Sequence, residues 1–158
     1  MFSVKNRIKL LLLMCLIIIF PVFAYGDSSE GKIGVGLNYP GMSVRYFLSD
    51  ITSLELKGQY EQDILVLGSR FYYYFDCKSE VLLFGGIEGD YVSFKGEESQ
   101  GNGFACELFV GLEYFFTKKL SFQMDIGPAW IYLADRNYTS VTVAGFEYVV
   151  NLGFNYYF

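Results

Sequence analysis

The chain has no histidine. Without an imidazole there is no Ser-His-Asp arrangement and no histidine-activated water. Any metal would have to be held by carboxylates alone, a weak pattern for a site. Basic residues are also few: 12 Lys and Arg stand against 17 Asp and Glu. That balance argues against a nucleic-acid partner, which needs a basic face. The glycine-rich stretches Gly85-Gly86 and Gly101-Asn102-Gly103 lack the lysine and the following helix of a phosphate-binding loop. Beyond the N-terminal region no apolar run approaches the roughly twenty residues of a membrane helix.

The one long apolar run is at the start. Lys5, Arg7 and Lys9 precede an unbroken apolar segment over 10–20, followed by small residues around Ala24 and Gly26. This is the three-part layout of a secretory signal peptide, with cleavage after Ala24 or after Gly26. Residues 1–24 are therefore expected to be a leader and 25–158 a single domain. Cleavage removes three basic residues, leaving nine basic against 17 acidic and a net charge of −8.

Aromatic residues are abundant, at 20% of the chain, and they alternate. Over 146–158, Phe146, Tyr148, Val150, Leu152, Phe154, Tyr156 and Phe158 fall on one side, and Glu147, Val149, Asn151, Gly153, Asn155 and Tyr157 on the other. Successive strand side chains point to opposite faces, so this reads as a strand with one wholly apolar face. Thirteen residues is long for a soluble strand and suits a tilted crossing of a bilayer. The same alternation predicts strands over about 32–39, 42–48, 53–62, 64–75, 80–94, 104–116 and 120–133. The fifth has an uncertain phase, because Leu82 and Phe84 share the side of Glu88 and Asp90. Pro128 predicts an irregularity in the seventh, since it cannot donate to a ladder. The total is eight, an even number, as a closed bacterial membrane barrel requires.

Two further regularities support the barrel. Down-going strands share aromatic endings, at Tyr46-Phe47, Phe71 to Phe75, Tyr114 to Phe116 and Tyr156 to Phe158, as expected for one membrane rim. Connection length partly alternates: the turns near Asp50, Cys77 and Lys118 are short and the stretches over 95–103 and 134–143 are longer and polar, although Pro40-Gly41 and the turn near Asp63 are also tight. The longer stretches are the expected outer loops, and they offer Glu97, Glu98, Asn102, Asp135, Arg136 and Tyr138 as interaction candidates. A secreted lipocalin-type barrel with its apolar faces inward is the alternative. The aromatics at strand ends and the glycine-rich polar faces favour the membrane reading.

If the apolar faces meet lipid, the charges point inward. The expected lumenal network is Arg45, Lys57 and Arg70 against Glu88, Asp90, Glu107, Glu113, Asp125 and Glu147, with Lys32, Glu55 and Glu61 on the same face. An eight-stranded interior is just wide enough to be filled by side chains, so these charges must pair. A packed polar plug is favoured over a narrow ion path. Arg70 is expected to pair with Glu88 or Asp90. Cys77 and Cys106 fall at opposite ends of their strands and are expected to be free thiols, being too far apart for a disulfide.

The pattern over about 31–158 resembles the small eight-stranded outer-membrane barrels of the A/X type. The resemblance implies an all-β, antiparallel, up-and-down transmembrane barrel in the bacterial outer membrane. It also implies that Phe154, Tyr156 and Phe158 form the C-terminal signal read by the barrel-assembly machinery. Family members act in envelope integrity, adhesion or surface defence, so the expected function is non-enzymatic and needs no cofactor. Its expected partners are outer-membrane lipid and an unidentified extracellular molecule at the outer loops. A small pore or a lipid-active protein is the alternative.

Overall fold

The computed structural model describes residues 29–38, 41–75, 81–96, 100–135 and 142–158. The expected leader and Cys77 lie outside the described residues. The described residues form eight strands: β1 (Ile33–Asn38), β2 (Gly41–Ser49), β3 (Thr52–Glu61), β4 (Ile64–Tyr74), β5 (Val81–Lys95), β6 (Gln100–Phe115), β7 (Leu120–Asp135) and β8 (Thr142–Tyr157). Each pairs antiparallel with the next, and β1 pairs with β8, so the sheet closes into an up-and-down barrel. Alternating β-branched and aromatic residues suit a pleated wall with two different faces.

The turns follow from local chemistry. Gln62 and Asp63 both have positive φ, 46° and 65°, as a two-residue hairpin loop of the mirror-image type needs. Asp63 also accepts a hydrogen bond from the Tyr60 hydroxyl at 3.1 Å. At the opposite rim Thr117 Oγ1 accepts the N–H groups of Lys119 and Leu120, and Ser49 Oγ accepts that of Ile51. Two strands start earlier than the alternation suggested. β6 begins at Gln100 and β8 at Thr142, so the connections reduce to 96–99 and 136–141. Pro128 has the expected effect: the β6–β7 ladder is interrupted between Glu107↔Ala129 and Val110↔Ile126.

Register fixes the shape. One cross-strand row runs from Ile33 through Tyr46, Leu54, Phe71 and Ile87 to Leu108. Continued onto β7 it meets Pro128, which pairs with Tyr148. Yet the strand residue beside Ile33 on β8 is Phe158, whose N–H donates to the Ile33 carbonyl at 2.9 Å. The row has climbed ten residues in one circuit, which tilts the strands about 40° from the barrel axis. Levelled for that tilt, Tyr46, Tyr73, Tyr114 and Tyr156 share a lower ring. Tyr60, Tyr91, Phe104, Trp130 and Tyr148 share an upper one, roughly 20–25 Å above it. Between the rings the outward residues are apolar and exposed, among them Leu56 at 68%, Leu108 at 62% and Val150 at 58%.

The shared aromatic endings divide between two surfaces. Tyr46, Tyr73, Phe75, Tyr114, Phe116, Tyr156 and Phe158 point outward. Phe47, Tyr72, Tyr74, Phe115 and Tyr157 point inward, where they join Leu82, Phe84 and Phe109 in the buried core. The endings share one rim level, as expected, and alternation sends only every second ring to the outer wall. The inward set plugs the lower lumen, with Phe84 set edge-on to Tyr72 (5.2 Å between ring centroids) and Phe109 (6.1 Å). Leu82 and Phe84 also resolve the phase of β5, since both point into this plug. Because the plug is close-packed, Phe84→Ala should lower stability by about 3–5 kcal/mol. Ile87→Ala on the outer wall should cost far less, since no packed cavity is left behind. Urea unfolding in lipid vesicles would compare the two, and equal losses would count against a packed plug.

Candidate functional site: a two-tier ion network in the lumen

Above the aromatic plug the lumen is filled by charge. The lower tier is built around Arg45 of β2, which is almost fully buried. Its Nε and Nη2 donate to Glu55 Oε2 at 2.8 and 2.5 Å. Its Nη1 donates to Glu113 Oε2, the Tyr74 hydroxyl and the Tyr157 hydroxyl at 3.2, 3.0 and 3.1 Å. Nη2 also reaches Gln123 Oε1 at 2.5 Å. The guanidinium lies over the Tyr72 ring, 4.0 Å from its centroid. Glu113 is saturated in turn, accepting from Ser121, Tyr157, Tyr74 and Asn155. Two acids share one arginine, and neutral donors complete their shells. A buried carboxylate needs such a shell.

The second tier centres on Arg70 of β4. It grips Asp125 in a two-pronged bond, with Nη1–Oδ2 at 3.2 Å and Nη2–Oδ1 at 2.7 Å. Its Nε stands 2.8 Å from Glu88 Oε2, an ion pair without hydrogen-bond alignment. Its cation lies 4.0 Å from the Phe109 ring centroid. Asp125 also accepts from Gln123 and Asn151. Lys57 of β3 pairs with Glu88 and sits 3.8 Å from Asp90. Arg70 thus takes Glu88 from the neighbouring strand, and Asp125 from across the lumen. Asp90 falls to Lys57. The sequence could not supply the cross-lumen partner, because nothing local links β4 to β7.

Two members of the expected network stand apart. Glu107 faces the lumen and is buried, but its Oε1 has no hydrogen-bond partner among the described residues. Directly opposite it across the β5–β6 ladder is Glu88, another acid. Glu147 shares the inward phase of β8 but is exposed near the upper opening. It belongs to no ion pair among the described residues. Lys32 precedes β1 and Glu61 lies exposed at the end of β3. Neither joins the tiers. Glu55, expected on the inward face, joins the lower tier, and Gln123, Ser121 and Asn155 are members that charge counting alone did not single out, although all lie on the inward phase.

The expected loop residues are redistributed. Asn102 is paired within β6, opposite Ser93 and Ala134, and Asp135 is the last residue of β7, opposite Gly101. Neither is in a loop, because the β5–β6 and β7–β8 ladders run further up than the sequence suggested. Glu97, Glu98, Arg136 and Tyr138 lie outside the described residues. Cys106 is a free, exposed thiol on the outer wall, opposite Trp130.

No family model matches the chain, and no curated protein matches it. Among solved structures it is similar to the N-terminal β-barrel domain of Pseudomonas aeruginosa OprF, with a TM-score of 0.55 and 16% identity over 84% of this chain and all of that domain. The fold is that of an outer-membrane β-barrel. The likeness extends to strand number and closure and does not carry the side-chain network.

A lumen closed by paired charges makes a stability prediction. Arg70→Leu strands Glu88 and Asp125 in the interior and should cost about 3–5 kcal/mol. Lys95→Ala, at the exposed end of β5, should change stability little. Glu107→Gln removes an unpaired charge and should leave stability unchanged or raise it. Unfolding midpoints of the three variants in vesicles would check the order. Equal losses for Arg70→Leu and Lys95→Ala would show that Arg70 meets bulk water.

Proposed function

We propose that the protein is a non-enzymatic β-barrel of the bacterial outer membrane, with an envelope-structural or surface-interaction role exerted through its outer end. The carrying observation is the continuous exposed apolar wall between two aromatic rings. A patch of that extent is untenable on a monomer in water. It matches the apolar band of about 25 Å, flanked by aromatic girdles, that membrane barrels present to lipid. Outer-membrane lipid is then the first partner. The barrel-assembly machinery is the second, with Phe154, Tyr156 and Phe158 as the signal. All three are exposed on the lower outer face of β8, where an assembly factor can reach them.

An interaction role is favoured over conduction by the two tiers and the plug, since Arg45, Glu55, Glu113, Tyr72 and Tyr74 are each at most 1% exposed and fill one cross-section. A partner on the outside of the cell would then meet the barrel through the connections at 96–99 and 136–141 and the strand ends beside them. Rigid walls presenting variable connections are a common way to carry function.

The membrane reading predicts that the folded protein fractionates with outer membranes and changes gel mobility on heating, as a closed barrel in detergent does. Recovery in the soluble periplasmic extract with no heat-dependent shift would remove it. The interaction reading predicts no steady ion conductance in planar bilayers. Replacing both connections by tight Asn-Gly turns should preserve the heat shift and abolish any surface binding the parent confers on cells. Steady conductance, or surface binding that survives the shortening, would favour the small-pore or structural alternative.

A further inference from the structure

The barrel wall is much taller on one side of its seam than on the other. β1 has six residues and β8 has sixteen. β1 pairs with β8 only through Gly153–Tyr157. Among the described residues nothing pairs with the free side of β8 over the eleven residues before Gly153. On its other side β8 is paired with β7 all the way to Thr142. Hydrogen-bond directions follow from the ends: the Tyr157 N–H donates towards β7, to Lys119, and the Phe158 N–H towards β1, to Ile33. By alternation, the N–H and C=O of Phe146, Tyr148 and Val150 point out of the free edge.

The level of this edge matters. Allowing for the tilt, Asn38 and Gly41 at the top of the β1–β2 hairpin stand about halfway between the two aromatic rings. Val150, Tyr148 and Phe146 run from just above that level to the upper ring. The open edge therefore lies within the outer half of the apolar band. Phe146 and Tyr148, at 76% and 80% exposed, are the most exposed large apolar residues of the wall. Open sheet edges do not occur facing hydrocarbon, because their backbone groups go unsatisfied there. Acyl chains cannot satisfy them. The β1–β2 connection has two residues, against the eleven of the open edge. A second copy fits poorly: a two-fold axis along the membrane normal would join the outer face of one wall to the inner face of the other.

We propose that the free edge of β8 is a docking site for an extended strand from a partner polypeptide, which completes the outer half of the barrel wall by β-augmentation. The inference rests on the membrane reading above. The partner's chemistry follows from the two faces it would continue. Its outward side chains must be apolar, extending the row of Phe146, Tyr148 and Val150. Its inward side chains meet a surplus of acid: Glu147 beside it and, across the lumen, Glu107 and Asp90, with Lys57 the nearby cation. Alternating apolar and basic residues fit both.

Amide exchange in lipid nanodiscs tests the edge first. The amides of Phe146, Tyr148 and Val150 should exchange at least a hundredfold faster than those of Glu147, Val149 and Asn151, which bond to β7. Adding a nine-residue peptide of alternating valine and lysine should protect the first group and bind one to one. An alternating valine–glutamate peptide should bind at least tenfold more weakly. Val150→Pro removes an edge N–H without touching the β7 ladder, and Glu147→Lys reverses the nearest charge. Each should weaken binding of the lysine peptide at least tenfold while the heat shift is retained. Edge amides already protected in the isolated protein, whether in a monomer or a dimer, would overturn the proposal. So would failure of the lysine peptide to bind, or binding unaffected by both substitutions. In these cases an intact heat shift leaves the membrane reading standing, whereas its loss in the parent would remove that reading itself.

Discussion

Every backbone N–H and C=O of a membrane-spanning wall has to be bonded within the wall, and the remaining features of this protein answer to that constraint. Helices meet it segment by segment. Strands meet it only by closing on themselves. Here closure is made by five residue pairs between β1 and β8. Those pairs set the ten-residue climb of the register, the climb sets the tilt, and the tilt decides which outward aromatics share a level. Where the short β1 stops, no described residue meets the constraint on one side of β8.

Closure also creates an interior too narrow to be left empty. The chain fills it in layers. Aromatic rings close the lower end, and the Arg45 tier lies on them, using the hydroxyls of Tyr74 and Tyr157 as donors and acceptors. The Arg70 tier rests on the faces of Phe109 and Tyr72. Buried ion pairs are weak stabilisers by themselves, since desolvation offsets much of the attraction. Their value here is geometric. Arg45 of β2 reaches partners on β3, β4, β6, β7 and β8, and Arg70 bridges β4, β5 and β7, so the tiers tie together strands that share no ladder. The balance of charge worsens towards the outer opening, where Glu107 and Glu147 find no partner among the described residues.

Alternation located all eight strands, because one wall facing lipid forces a period of two. It failed at the upper ends, where β6 and β8 start earlier than expected. Gly101, Gly103 and Asn102 read locally as a loop, yet they sit in ladders with β5 and β7. Backbone pairing there overrides weak strand propensity. The paired aromatics at the lower ends share one rim level, and alternation within each pair sends one ring to the outer wall and the next into the plug.

The sequence by itself determined the fold class, the strand count, which face of each strand is apolar, and which charges point inward. Each of these is a consequence of local periodicity, visible without knowing what lies beside a strand. Tertiary structure decided the partners: Asp125 for Arg70, Tyr74, Glu113 and Tyr157 for Arg45 and, among the described residues, no ion pair for Glu107 and no strand beside the upper edge of β8. Those outcomes depend on the register at closure, a property of all eight strands together that no single segment encodes.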